Sequence, residues 1–165
     1  VQTCALPIWG KDWYGAAIEA YQKAIKLKPQ SYYQWELAKA MFHSARYKEA
    51  IELIEEKENT GSGRSDIGPL QIAIHLALGD SLKANYYFQQ CHSEDSLNLS
   101  NVLNDISYRM ELDGQARDLA LKLTNLAISA APGSPYPYST RAELLGINGD
   151  SKGDRKSTRL NSSHT

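Results

Sequence analysis

The residues that could ligate a metal or attack a carbonyl are few in this chain, and their spacing speaks against either chemistry. His43, His75 and His92, with Cys91, are the soft metal-ligand types of its central part. No two of them stand three or four residues apart and no Cys-x2-Cys pair occurs, so the spacing of a zinc site is missing. No serine, histidine and acidic residue are joined by a nucleophile-elbow motif. The run Gly61-Ser62-Gly63-Arg64-Ser65 has the glycine content of a phosphate cradle. It lacks the Gly-Lys-Ser/Thr ending and follows a helical stretch rather than a strand, so it reads as a solvated inter-helix loop. Glu55, Glu56 and Asp113 fall on polar helix faces. Cys91 falls at a small core position and reads as a packed thiol. No catalytic residue, metal or cofactor is expected; the chain should work by binding.

The elements that would position a binding surface show in the spacing of small residues. Ala17, Ala50, Ala84 and Ala120 lie 33, 34 and 36 residues apart. A second series, Ala38, Ala73, Ser107 and Ala142, runs between them at steps of 35, 34 and 35. Two interleaved registers with one period imply a repeated pair of helices. Around the first register, Ala17-Ile18-x2-Tyr21-x2-Ala24-Ile25-x3-Pro29 recurs as Ala84-x3-Phe88-x2-Cys91 and as Ala120-x3-Thr124-x2-Ala127-Ile128-x3-Pro132. Small residues seven apart let helix axes approach to about 8–10 Å. The side chain between them fills the same face, and a proline stops the helix. Around the second register, Leu37-Ala38-x2-Met41 recurs as Ile72-Ala73-x2-Leu76 and Ile106-Ser107-x2-Met110, with Arg141 ahead of Ala142-x2-Leu145 in the last copy. The helix at Ala50 matches poorly and is expected to be short.

This pattern resembles the tetratricopeptide repeat family over nearly the whole chain between its terminal runs. The resemblance implies an all-α fold, an α-α superhelix of helical hairpins. Eight helices are expected, near 12–27, 32–44, 47–57, 69–78, 81–91, 97–113, 115–130 and 136–147. Gly79-Asp80 and Gly149-Asp150 should make turns, and Ser134 should cap a helix that has Pro135 at its first position.

In such arrays the first helix of each pair lines a concave groove. Carried over by register, the flanking positions are Tyr32, Trp35, Glu36, Lys39, Phe42 and His43 in the first full repeat. The next gives Leu70, Gln71, Ile74 and Ala77, the third Asn101, Asn104, Asp105, Tyr108 and Leu112, and the last Tyr136, Ser139, Thr140 and Glu143. Six of these, Trp35, Lys39, Phe42, Ile74, Asn104 and Tyr108, are expected to form a peptide-binding surface, with packing as the competing role for Trp35 and Phe42. Amides bond a peptide backbone and rings cover its side chains. The family's clamp for C-terminal carboxylates needs several lysines, an arginine and asparagines; only Lys39 and Asn104 are of suitable type, so that use is disfavoured.

The terminal runs read differently. Val1-Gln-Thr-Cys-Ala-Leu-Pro-Ile8 and Asp154-Arg-Lys-Ser-Thr-Arg-Leu-Asn-Ser-Ser-His164 are what the two complementary strands of a widely used sequencing-library adapter encode. Residues 1–8 and 154–165 are therefore expected to be adapter-derived, the latter disordered, leaving a repeat array at 9–153 that starts and stops within a repeat. Trp13, Ile18 and Ile25 at one end and Leu144 and Leu145 at the other should then be unusually exposed, with self-association through the open ends.

Composition narrows the partner. The whole chain has 18 Lys and Arg against 19 Asp and Glu. Residues 9–153 carry 15 against 18, a net charge of −3 too mild to call for nucleic acid. The two cysteines, of which only Cys91 lies outside the terminal runs, give no disulfide framework. No apolar run reaches the ~18 residues of a membrane span. The expected function is a protein-interaction scaffold holding a partner peptide or a neighbouring domain. The alternative is the repeat region of a larger enzyme or regulator whose chemistry lies elsewhere.

Overall fold

A computed structural model describes residues 11–58, 67–112 and 116–146. The expectations for 1–8, for the loop at 59–65, for Gly149-Asp150 and for 154–165 lie outside the described residues. Within them the chain is all-α, without strands: α1 (Lys11–Leu27), α2 (Ser31–His43), α3 (Tyr47–Glu58), α4 (Ile67–Ala77), α5 (Ser81–Leu112), α6 (Arg117–Ala130) and α7 (Tyr136–Gly146). Each helix packs on its neighbour in the chain. α4 also touches α2 and α6, and α5 touches α7, so consecutive hairpins stack on one another.

Seven helices stand where eight were expected because α5 runs through a break instead of a loop. Asp95 leaves the helical region (φ −154°, ψ 92°). Its carboxylate Oδ1 accepts the Asn98 N–H at 2.9 Å, as an N-cap does for the helix that follows. Asp80 opens α5 in the same way, accepting the Lys83 N–H at 3.1 Å. The α3 helix has twelve residues, between the thirteen of α2 and the eleven of α4, with Ala50, Ile51 and Ile54 buried. The expected shortness is therefore corrected: three apolar positions on one face suffice to dock it without the full repeat pattern.

The interleaved small residues are interior. Ala38, Ala73 and Ser107 of one series and Ala50, Ala84 and Ala120 of the other are all buried, while Ala17 is half-buried. Ala142 breaks the pattern and is exposed; α7 buries Pro137, Thr140 and Leu144 instead. Where the register carries a hydroxyl, the backbone absorbs it. The Ser107 hydroxyl donates to the Ala120 carbonyl at 2.8 Å and lies 2.5 Å from the Thr124 hydroxyl, which donates to the same carbonyl at 2.9 Å. Ser100 donates to the Ala127 carbonyl at 2.8 Å. These bonds tie α5 to α6 without leaving a buried polar group unpaired.

Two close features position the middle of the molecule. A Cβ at Gly68 would run into Cys91 Sγ, so glycine lets α4 begin flush against the first part of α5. The α4 helix itself is buried almost all round, from Ile67 and Pro69 through His75. At the ends, Trp13 and Leu145 are exposed as expected, 59% and 51%. Ile18 and Leu144 are core residues, contrary to expectation, because α1 packs on α2 and α7 on both α5 and α6. Ile25 is half-buried against the core.

Candidate functional site

A cleft of about 500 Å³ opens between α1 and α2 on one side and the part of α5 after Asp95 on the other. One stripe of each helix lines it. α2 contributes Glu36, Lys39, Ala40 and His43, spaced at three, four and seven residues so that all four share a face. α5 contributes Asn101, Val102, Asp105, Ile106 and Arg109, again one face of one helix. α1 adds Tyr14, Ala17 and Tyr21, and Leu70 of α4 reaches the floor. Polar groups stand at the walls, and small or aliphatic side chains make the bottom.

The charges on the walls are paired within each helix. Lys39 Nζ lies 2.6 Å from Glu36 Oε1, and Arg109 Nε donates to Asp105 Oδ2 at 2.9 Å. Both pairs are exposed enough that each is worth under about 1 kcal/mol. Burial, then the negative charge of Glu36 and the neighbouring Tyr32, raise the Tyr21 phenol above its ordinary value, so it stays a neutral donor. His43 is held between rings: Tyr14 stacks on it at 4.9 Å and 12°, and Phe42 meets it edge-on at 5.2 Å and 76°.

Of the six residues assigned from the sequence, only Lys39 lines this cleft. Trp35, Phe42 and Ile74 are interior, exposed by 2%, 0% and 0%, and their assignment to an open binding surface is corrected. Asn104 is partly buried, and its amide oxygen is sealed from solvent without a hydrogen bond among the described residues. Tyr108 is 42% exposed but stands outside the cleft. The physical reason is one of rotation. Trp35, Ala38 and Phe42 form the stripe that α2 turns to the core, and the cleft stripe begins one residue later, at Glu36. On α5 the shift repeats: Asn104 and Tyr108 were expected, and Asp105 and Arg109 are found. One residue is about 100° of helix. Ile74 shares its stripe with Leu70 but stands one turn further along α4, fully buried and outside the cleft.

Glu36, His43, Leu70, Asn101 and Asp105 had been placed on groove-flanking positions, and they do line the cleft. Arg109, Tyr14 and Tyr21 were missed. Tyr21 belonged to the Ala17 repeat pattern, where it fills the face between two small residues. Arg109 carried a signal, since it stands four residues after Asp105 on a helix, the spacing of an ion pair.

Two further features lie away from the cleft. A smaller hollow of about 310 Å³ at the Asp95 break is lined by Pro69, Cys91, Glu94, Asp95, Asn98 and Leu99. Burial first, then Glu94, raise the Cys91 thiol above its ordinary value, so it stays protonated and unreactive. On the α3 side, His75 is 3% exposed and stacks on Tyr87 at 5.6 Å. Its Nδ1 is 3.8 Å from Asp80 Oδ2, and Lys83 Nζ is 3.8 Å from Glu55 Oε1.

No family model, no curated protein and no solved structure matches this chain.

Among the described residues, no group of three or more His, Cys, Asp and Glu is placed to hold a metal ion, and no helix is long and apolar enough to cross a membrane.

Proposed function

We propose that this chain is a scaffold of tetratricopeptide-like hairpins, coiled as an α-α superhelix, that holds a segment of a partner polypeptide. The observation that carries the reading is the cleft between α2 and the later part of α5. Its apolar floor of Ala40, Leu70, Val102 and Ile106 lies below a polar rim of Tyr21, Lys39, Asn101 and Arg109. Apolar floors bury side chains and sparse polar groups at the rim fix a backbone, the composition of sites that grip a peptide. Burial of the small residues Ala38, Ala73 and Ser107, and of Ala50, Ala84 and Ala120, supports the repeat assignment. So does the recurrence of one turn geometry at Ala45 and Gly79.

The test is a random-peptide display selection on the 165-residue chain, with Asn101→Trp as the comparison. Asn101 is an exposed position on the wall, and an indole there would narrow the cleft. Peptides that bind the parent chain and lose about tenfold or more in affinity on Asn101→Trp support the site. Enrichment of the same peptides on both proteins would sink it.

A further inference from the structure

The two series of small residues fall in pairs, one of each to a hairpin. Ala38 and Ala50 are buried in the hairpin of α2 and α3, and Ala73 and Ala84 in that of α4 and α5. Ser107 and Ala120 are buried in that of α5 and α6, where the serine hydroxyl reaches the alanine carbonyl at 2.8 Å. Two members have no opposite number among the described residues. Ala17 stands on α1 and is half-buried; Ala142, of the other series, stands on α7 and is exposed. Leu145 occupies the register of Met41 and Met110 and is exposed where both methionines are buried. α1 therefore carries one half of a hairpin seam, and α7 carries the other.

Each half is a stripe of large and small apolar side chains. Trp13, Ala17, Ala20, Ala24 and Leu27 recur at steps of four and three along α1, so they line one side of it. Trp13, Ala20 and Leu27 are exposed, Leu27 by 79%, and Ala17 and Ala24 are half-buried. The side that α1 turns to its neighbours is a different one, roughly a third of a turn round, with Tyr14, Ile18, Tyr21 and Ile25. There Tyr14 stacks on His43 of α2. The apolar arc of α1 is thus wider than its packing uses. On α7, Tyr138, Ala142 and Leu145 stand at steps of four and three and are all exposed, while Pro137, Thr140 and Leu144 are buried. Three alanines between bulky ends on one helix, and one alanine between bulky residues on the other, let two axes approach to about 8–10 Å with ridges seated in grooves. Exposed apolar stripes of this kind mark interaction surfaces.

We infer that a second copy of this chain covers both stripes, the Tyr138–Ala142–Leu145 face of one copy packing on the Trp13–Leu27 face of the next. The joint continues the alternation of the two small-residue series from one copy into the other. Because the two faces differ, the contact is head-to-tail and does not close as a two-fold pair. It meets the cleft at Ala17 alone, so it stands apart from whatever the cleft holds. A seam of one helix pair lies at the small end of specific interfaces, below about 1,200 Å², so the assembly is weak and grows with concentration.

Sedimentation velocity of the full 165-residue chain, between about 10 μM and about 500 μM, reads the assembly. The expected weight-average mass climbs with concentration and passes that of a dimer. Ala20→Glu and Ala142→Glu each put a carboxylate into one stripe at an exposed position, and each alone should stay a monomer. An equimolar mixture of the two should form a dimer and stop there, because only the α7 stripe of the first and the α1 stripe of the second remain intact. Leu27→Glu and Leu145→Glu take their places should an alanine variant lose its helical circular dichroism. A parent chain that is monomeric throughout would overturn the inference, and so would a mixture that stays monomeric. A parent that stops at a dimer, with one of the single variants still dimeric, would show a symmetric pairing of like faces and overturn the head-to-tail joint.

Discussion

Ala45 and Gly79, 34 residues apart, carry the same left-handed backbone, with φ of 60° and 79°. Each closes the first helix of a hairpin with the same pair of bonds. The Arg46 N–H donates to the Met41 carbonyl and the Ala45 N–H to the Phe42 carbonyl, both at 2.9 Å. The Asp80 N–H donates to the His75 carbonyl at 2.8 Å and the Gly79 N–H to the Leu76 carbonyl at 3.2 Å. This is a Schellman ending, for which glycine is the favoured residue. An alanine in that conformation costs about 1–2 kcal/mol, partly offset because glycine loses more freedom on folding. Ala45→Gly should therefore stabilise the protein by about 0.5–1 kcal/mol, and Gly79→Ala should destabilise it by about 1 kcal/mol. Urea denaturation with an unchanged slope checks both.

Ser107 and Thr124 share the Ala120 carbonyl and touch each other, so the loss of either hydroxyl leaves the other with one partner fewer. Ser107→Ala and Thr124→Val should each cost about 0.5–1.5 kcal/mol. The double variant should cost less than the sum of the two singles, because removing both partners leaves neither hydroxyl orphaned. A double-mutant cycle in thermal or urea unfolding measures this; strict additivity would mean the three atoms do not act together.

His75 gives the fold a dependence on pH. Burial, then the nearby Lys83, lower its value below that of a free histidine, while Asp80 and Glu55 pull the other way. Between the lowered folded value and the ordinary value near about 6.5, the unfolded chain binds more protons than the folded one. Stability is thus full above about pH 6.5 and is lost as pH falls into that window. His75→Phe keeps a ring against Tyr87 and removes the proton site. Its unfolding free energy should change less between pH 7 and pH 5 than that of the parent, both pH values being chosen to bracket the ordinary histidine value of about 6.5. An unchanged pH slope would assign the acid sensitivity elsewhere.

Trp35 and Tyr108 separate packing from surface. Trp35→Ala removes a large buried side chain, a change that costs about 3–5 kcal/mol. Against a typical stability of about 5–15 kcal/mol this is enough to compromise the fold. Tyr108→Ala, at an exposed position, should stay within about 1 kcal/mol of the parent. Circular dichroism during heating distinguishes the two. Near-native stability of Trp35→Ala would return Trp35 to the surface.

The helices and their order were legible because small residues recur at one period and prolines end α1 and α6. The break in α5 was legible in place but not in kind. The sequence around Ser93-Glu94-Asp95-Ser96 announced an interruption, and the Asp95 cap lets the chain restart a helix at once. What could not be read was rotation. α2 is apolar on two adjoining faces, with Trp35, Ala38 and Phe42 on one and Leu37 and Met41 on the other, so pattern alone does not say which edge meets the cleft. In α4 the run Ile67-Gly-Pro-Leu-Gln-Ile-Ala-Ile-His-Leu-Ala77 has no exposed polar stripe: its two polar side chains, Gln71 and His75, share one face and are themselves buried. Ile74 was misplaced for that reason. The cleft's Tyr14 and Tyr21 lie on α1, a helix of the Ala17 series, whereas only helices of the Ala38 series were carried over to the groove.

The enclosure of α4 also bears on how such an array can be rearranged in the course of descent. Stacked repeats are interchangeable only where one unit can be lifted out and its neighbours rejoined across like surfaces. α4 meets helices on both sides and from the next hairpins as well, and its Gly68 is fitted to one particular thiol. A unit cut out through α4 would leave α2, α3, α5 and α6 with apolar faces shaped for a helix no longer there. α1 packs on α2, and α7 on α5 and α6, so adding or removing a helix at either end should expose less interior surface than a cut through α4.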